Sequence, residues 1–278
     1  MFAGVNHVAV VVRNVGDALR FYHEVLGLPV GHRATVPDQG VHAVLLPVGE
    51  DEIELLEPTN PSGGVARFLE KKGEGIHHLC VETPDVAAAL ARIKAADLPV
   101  IDQAPRKGLA GTIAFLHPAA CQGILVELAQ PGEAHHTPPV PASNGIRATG
   151  IATFFLGTMD VAGSAAMLEK HFDAVLQAQT TDGRLSAGSL VAAIGGSRIT
   201  LLDSADLAVS PEVSRFLGGR TEGLLGLCLA VADFDGALRH LGRQGISVEV
   251  RKGGQDLPLG KVAPEVTHGV GLFLSPSR

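Results

Sequence analysis

The sequence predicts an α+β protein of four β-α-β-β-β modules arranged as two tandem domains. Three observations predict it. A His followed by a Glu recurs at nearly constant spacing: His7 to Glu54 is 47 residues and His78 to Glu127 is 49, with 71 between the histidines and 73 between the glutamates. A segment with four prolines, PGEAHHTPPVPASNG at 131–145, interrupts the chain near its middle. Beyond it the first half recurs at an offset of 146 to 148 residues.

The elements follow in order. GVNHVAVVV (4–12) is apolar and β-rich, and Val15 to Leu26, with Val15, Ala18, Leu19, Tyr22 and Leu26 near helical spacing, reads as an amphipathic helix ended by Gly27. Gly31 to Val36, His42 to Val48 and Glu52 to Glu57 are short, turn-bounded runs rich in Val, Ile and Leu, and complete the first module. After a helical stretch near Val65 to Lys71 the order restarts. GIHHLCVET (75–83) is the new first strand, Pro84 opens a helix rich in Ala and Leu to about Ala96, and Val100 to Gln103, Thr112 to Leu116 and Ile124 to Gln130 supply the next strands.

The proline-rich stretch has the composition of an extended, solvated linker, and its His135 and His136 read as solvated side chains. The expected division is therefore 1–131, a linker at 132–145, and 146–278. In the second half GIATFF matches GVNHVA, SRITLLDS matches DEIELLEP, EGLLGLCLAV matches EGIHHLCVET, and THGVGLFLSP matches CQGILVELAQP. This alignment sets Thr153 against His7, Thr200 against Glu54, Gly226 against His78 and Phe273 against Glu127. The second domain keeps the apolar strands and lacks the ionisable set.

Composition narrows the function classes. With 278 residues and 46% hydrophobic content the chain can bury two ordinary cores. Its apolar runs, such as Val8 to Val12 and Leu224 to Val231, fall far short of a membrane span, and no basic segment followed by an apolar core opens the chain; a cytoplasmic location is the expectation. Cys80, Cys121 and Cys228 are too few and too scattered for a disulfide framework or a CxxC zinc site, in keeping with a reducing compartment. A formal charge of -7 with no basic stripe gives no reason to expect nucleic acid. GLAG (108–111) and LGGRTEG (217–223) lack the strand-turn-helix context of a phosphate loop and read as turns. Arg215, Arg220 and Arg239 read as a solvated face.

The chemistry lies in the first domain. Strand side chains alternate between faces, so His7, Glu54, His78 and Glu127 can all face one cup while their apolar neighbours pack against helices. Burying charged groups is costly unless they are paired. Two imidazoles and two carboxylates suit a divalent ion such as Mn²⁺, Co²⁺, Ni²⁺ or Fe²⁺, and Zn²⁺ is compatible.

Through NHVAVVV, DALRFYHEVLGL, IELLEP, GEGIHHLCVE, AFLHP and GILVELAQ, the chain resembles the vicinal oxygen chelate (glyoxalase/bleomycin resistance/dioxygenase) superfamily, and residues 4–131 resemble its methylmalonyl-CoA epimerases. The resemblance implies metal binding by His7, Glu54, His78 and Glu127, with His77 on the other face. It implies proton exchange at a carbon between a thioester and a carboxylate, with Glu127 as base and Glu54 as the group opposite. The chain departs from some of these epimerases at Ala43, where they carry a further glutamate; His42 beside it faces away, and His117 of FLHP resembles a closing-loop residue. An acyl-CoA substrate needs local positive charge, for which Arg106 and Lys107 are candidates. Because all four ligand positions lie in modules one and two, those modules are expected to form one site, with residues 146–278 standing where a second subunit stands in shorter relatives: a pseudo-dimer within one chain, compatible with a homodimer of the whole. Competing readings are a glyoxalase I-like lyase, an extradiol-type dioxygenase, and a metal-free binding protein of the resistance type, the last poorly served by a chain with no Trp and one Tyr.

Overall fold

The computed structural model describes residues 2–132, 144–177, 189–217, 220–252 and 258–277. The first module runs β1 (Gly4–Val11), α1 (Val15–Leu19), β2 (Arg33–Val36), β3 (Val41–Val48) and β4 (Asp51–Pro58), and α2 (Gly64–Lys72) leads out of it. The second is β5 (Gly75–Glu82), α3 (Val86–Ala95), β6 (Arg106–Gly108), β7 (Gly111–Leu116) and β8 (Val126–Gln130). The third is β9 (Ala148–Thr158), α4 (Val161–Phe172), β10 (Val175–Gln177), β11 (Leu190–Ile194) and β12 (Ser197–Asp203), followed by the short helices α5 (Ser204–Val209) and α6 (Pro211–Phe216). The fourth is β13 (Gly223–Val231), α7 (Phe234–Arg243), β14 (Val248–Lys252), β15 (Pro258–Val262) and β16 (Leu272–Pro276).

The α+β class and the four modules are what the sequence predicts. The strands form two eight-stranded sheets of identical order, β2-β3-β4-β1-β5-β8-β7-β6 and β10-β11-β12-β9-β13-β16-β15-β14. The repeat extends to register: Leu45 opposes Glu54 as Val191 opposes Thr200, and Cys80 opposes Glu127 as Cys228 opposes Phe273. Each module's helix also starts in the same way. The side chains of Asn14, Asp85, Asp160 and Asp233 accept hydrogen bonds from the backbone N–H three residues on, at 2.8 to 2.9 Å, satisfying a donor that the helix itself leaves open.

By packing, the chain divides into two compact units that interleave its halves. One comprises Met1–His7, His78–Ala134 and Thr153–Leu225. Inside it the rings of Phe2 and Phe172 lie 5.3 Å apart, Arg92 pairs with Asp173 at 2.9 Å, and the Val5 N–H donates to the Ser197 hydroxyl at 2.9 Å. The other comprises Val8–His77, His135–Ala152 and Gly226–Arg278. Inside it the Tyr22 hydroxyl donates to the Thr267 carbonyl at 3.0 Å, His240 Nε2 to the Val25 carbonyl at 2.8 Å, and His268 Nδ1 meets Glu74 at 3.1 Å. Each unit thus joins a module from one half to a module from the other: second with third, first with fourth.

Three local expectations are corrected. The helix predicted over Val15 to Leu26 is α-helical only to Leu19, and Arg20–Val25 widens into a π-helical turn, with the Leu26 N–H bonded to the Phe21 carbonyl at 2.9 Å. The strand expected at Val100 to Gln103 is reduced to one bridge, Val100 with Leu116; the Ile101 and Asp102 N–H groups share the Phe115 carbonyl while the Asp102 carboxylate takes the Phe115 N–H, so the chain turns before pairing resumes at β6. Asp85, not Pro84, caps α3. The linker histidines His135 and His136 lie outside the described residues. No described helix is long and apolar enough to cross a membrane.

Candidate metal centre

Residues directly opposed across a strand pair share a face, as do residues two apart along a strand, so the registers say which side chains converge. Glu54 shares its face with Leu45, Leu56 and Ala43. Glu127 shares its face with Cys80, and therefore His78, on one side and with Phe115 on the other. Arg106, opposite Ile113, belongs to that same face. The opposite face explains the discarded histidines. His77 packs edge-on against Phe68 of α2 at 4.9 Å, and exposed His42 bonds to Thr35 at 2.9 Å.

His7, Glu54, His78 and Glu127 are 3 to 5% exposed although each is ionisable. The ligand atoms of His7, Glu54 and His78 lie within 4.8 Å of one another. Glu127 Oε2 stands 3.3 Å from His7 Nε2 and 3.1 Å from His78 Nε2, and the two Nε2 atoms are 3.4 Å apart. His7 is oriented from behind. Its Nδ1–H donates to Asn6 Oδ1 at 2.9 Å, and Asn6 Nδ2 donates to Glu82 at 3.1 Å, which fixes the tautomer that leaves the Nε2 lone pair facing inward. His78 is held edge-on to Phe115, ring centroids 5.2 Å apart. Burial raises the Glu127 carboxyl, but when the two rings are protonated their Nε2–H groups donate to it, and those hydrogen bonds and the imidazolium charge outweigh burial and hold the group well below the usual carboxylate range; a cation would take the place of those two Nε2 protons. Two buried carboxylates beside two inward nitrogens are the donor set a divalent cation needs, so these residues fit such an ion.

Two further residues belong to this face: Arg106, a charge candidate in the sequence, and Cys80, to which the sequence assigns no site role. Arg106 lies over the Phe115 ring at 5.5 Å and is fixed by Asp102 at 3.2 Å, which places a half-exposed guanidinium one aromatic ring away from His78. Cys80 is buried, and its sulfur groups with His7 and Glu127 within 4.8 Å. The signal for Cys80 was its position two residues after His78. His117 caps a 3-10 turn by accepting the Ala119 N–H at 3.1 Å, a local role. All three cysteines are buried and outside any disulfide.

The second half carries no such centre at the matching positions. The Thr153 and Thr200 hydroxyls bond to each other at 2.8 Å, and Phe273 is fully buried. At Gly226 a Cβ would stand 2.0 Å from the Gly271 carbonyl oxygen, so the backbone occupies the space a histidine would need. Lys261, counterpart of Phe115, is buried opposite Phe273 and Glu249, with its pKa lowered by burial against the pull of Glu249 and Glu265.

Comparisons with known proteins agree with this geometry. A family model described as Glyoxalase/Bleomycin resistance protein/Dioxygenase superfamily matches residues 6–116. The mitochondrial methylmalonyl-CoA epimerase of Bos taurus is 38% identical over 127 residues, 45% of this chain and 73% of that protein. Ethylmalonyl-CoA/methylmalonyl-CoA epimerase of Cereibacter sphaeroides is 39% identical over 133 residues, 47% of this chain and 99% of that protein. A solved mutant of 4-hydroxymandelate synthase from Streptomyces coelicolor covers 99% of this chain and 92% of its own with a TM-score of 0.65 at 19% identity, a likeness of fold. The chain therefore belongs to the glyoxalase/bleomycin resistance/dioxygenase superfamily. Its N-terminal half has the methylmalonyl-CoA epimerases as homologues, and its fold is that of two tandem vicinal oxygen chelate domains.

Proposed function

We propose that the protein is a cytoplasmic, metal-dependent epimerase that exchanges the proton α to a thioester, acting on methylmalonyl-CoA or a related 2-substituted acyl-CoA. The observation that carries the reading is the buried convergence of two histidines and two glutamates in the half of the chain that resembles epimerases. Three cysteines outside any disulfide suit a reducing compartment. On this reading residues 1–131 are the metal-binding domain, 132–145 the linker, and 146–278 a partner domain that makes the chain a pseudo-dimer, with a homodimer of the whole compatible.

His7, Glu54, His78 and Glu127 would hold Co²⁺, Mn²⁺, Ni²⁺, Fe²⁺ or Zn²⁺. A divalent cation held there would supply positive charge that stabilises the negative charge developing when the carbon between thioester and carboxylate loses its proton. Glu127 is the assigned base, and its side chain exchanges contact with the histidines for contact with the proton. Glu54 is assigned the opposite side, where it would have to leave the cation and take a proton from solvent before delivering it to the carbon, so that one proton passes to Glu127 and one is returned from Glu54. Ala43 shares the Glu54 face and offers only a methyl group there, so this chain does not reproduce the further carboxylate of some relatives. Arg106, held in place by Asp102 and Phe115, offers a planar pair of donors to the substrate's carboxylate or to a CoA phosphate.

The test is solvent deuterium incorporation at the α-carbon of methylmalonyl-CoA, measured with each divalent metal added to apo protein. Metal-dependent wash-in is the expected result; metal binding without exchange removes this substrate. His7, Glu54 and His78 alone also make a two-histidine, one-carboxylate set, which supports an iron dioxygenase as a second reading. Oxygen uptake with a catechol by the ferrous protein, in place of proton exchange, is the outcome that would favour it.

A further inference from the structure

We propose that the cup has a second, overlapping cation position formed by His7, Cys80 and Glu127, which takes a thiophilic divalent ion such as Cd²⁺ and excludes the ion used for proton exchange. The assigned chemistry has no use for Cys80. Its sulfur nevertheless stands within 4.8 Å of the ligand atoms of both His7 and Glu127, and all three residues are buried. The strand register enforces the arrangement: Cys80 is the direct partner of Glu127 across β5 and β8, and the step of two from His78 turns it to the same face. Ile113 and Ala129 pack against it, with Phe115 alongside, so this wall of the cup is apolar.

Donors around one tetrahedral zinc stand roughly 3.3–3.8 Å apart when the bonds are about 2.0–2.3 Å. His7 and Glu127, at 3.3 Å, already meet that spacing. The thiol needs a side-chain adjustment on the order of 1 Å to join them. Softness then sorts the ions. A thiolate draws zinc and cadmium, whereas imidazole with carboxylates alone suits manganese or cobalt. Because His7 belongs to both sets, the two positions cannot be filled together. On binding, the thiol proton leaves to solvent and a sulfur–metal bond forms, with no change of oxidation state.

The experiment is a cadmium titration of the full-length apo protein, followed through the ultraviolet thiolate-to-cadmium charge-transfer absorbance and repeated after saturation with Mn²⁺. One equivalent per chain is expected to develop the band. Cys80→Ser should abolish it, and Glu127→Gln, which keeps the thiol, should weaken cadmium binding at least tenfold; circular dichroism establishes that each variant is folded. Cys121→Ser and Cys228→Ser should leave the band intact, and Mn²⁺ should raise the apparent Kd for cadmium in proportion to its own saturation. The proposal is overturned if wild-type protein gives no band, if the band survives in folded Cys80→Ser, or if Mn²⁺ and Cd²⁺ bind without competing. Should Cys80→Ser fail to fold, undiminished cadmium affinity in Glu127→Gln overturns it instead. The readout needs no substrate, so its failure is distinct from failure of the epimerase reading.

Discussion

Replacing Asn6 by Ala should weaken metal binding without touching any ligand. Asn6 Oδ1 is the acceptor that holds the Nδ1 proton of His7, at 2.9 Å, and Asn6 is itself anchored to Glu82 at 3.1 Å. Without that acceptor the imidazole is free to rotate and to place its proton on Nε2, the atom that faces His78 and Glu127. Loss of such an orienting partner costs about 10- to 100-fold in metal affinity. That corresponds to about 1.4–2.7 kcal/mol. The hydrogen bonds themselves contribute about 1 kcal/mol each to stability, so the fold should survive. Calorimetric titration of apo wild type and Asn6→Ala with Mn²⁺ measures the affinity, and a thermal scan of the apo proteins separates binding from folding. A reversed pair, Asn6→Asp with Glu82→Gln, keeps an acceptor at His7 and a donor at residue 82, and should restore most of the affinity. Mn²⁺ affinity within twofold of wild type in Asn6→Ala, or no recovery in the reversed pair, would refute the orienting role.

Three other predictions follow from the geometry. Gly226→Ala should destabilise the protein by about 2–3 kcal/mol, because its Cβ meets the Gly271 carbonyl, and should lower the Tm; grafting His and Glu onto the four matching positions of the second half should therefore create no second metal site by calorimetry. Arg106→Gln should raise KM for the acyl-CoA at least tenfold, with a smaller effect on kcat, if the guanidinium binds carboxylate or phosphate; equal KM values would discard that role. His171 has its pKa lowered by burial, then by Lys170 and Arg92, and its Nδ1 is buried with no hydrogen-bond partner among the described residues. The unfolded chain therefore takes up the proton more readily, so this residue's contribution to stability is complete above its ordinary value of 6.5 and falls as pH drops below it. His171→Leu should flatten the urea-midpoint profile in that acidic window, by at most about 1.4 kcal/mol per pH unit; an unchanged profile would refute the assignment.

How much of this was legible in the sequence depended on whether the signal was periodic. The duplicated His and Glu spacing singled out four residues that are all buried, the family resemblance picked His78 over His77, and strand alternation turned His42 away from the face of Ala43 and Glu54. The π-helical turn was not legible, because Phe21 and Tyr22 satisfy an α-helical pattern equally well. Val100 to Gln103 is β-branched enough to read as a strand, yet the Asp102 side chain takes the Phe115 N–H and bends it away. Arg106 was noticed for its charge alone. Its placement over Phe115 needed the register of β6 with β7, which short strands do not reveal in sequence. The pairing of modules across the halves was not legible either, since contacts such as Arg92 with Asp173 carry no periodic signature.

That cross-pairing has a consequence for stoichiometry. Phe2 finds its aromatic partner in Phe172, and Tyr22 its hydrogen-bond acceptor in Thr267, so each half completes the packing of the other. Were the two halves separate chains, like could pair with like, and assemblies with two metal cups or with none would arise by chance. Joining them in one chain fixes the ratio at one half with the buried His and Glu set to one half with Thr153, Thr200, Gly226 and Phe273 at the matching positions. On the proposed reading, the second half can then carry other residues at those positions, as it does at Thr153, Gly226 and Phe273, without lowering the number of metal centres per molecule.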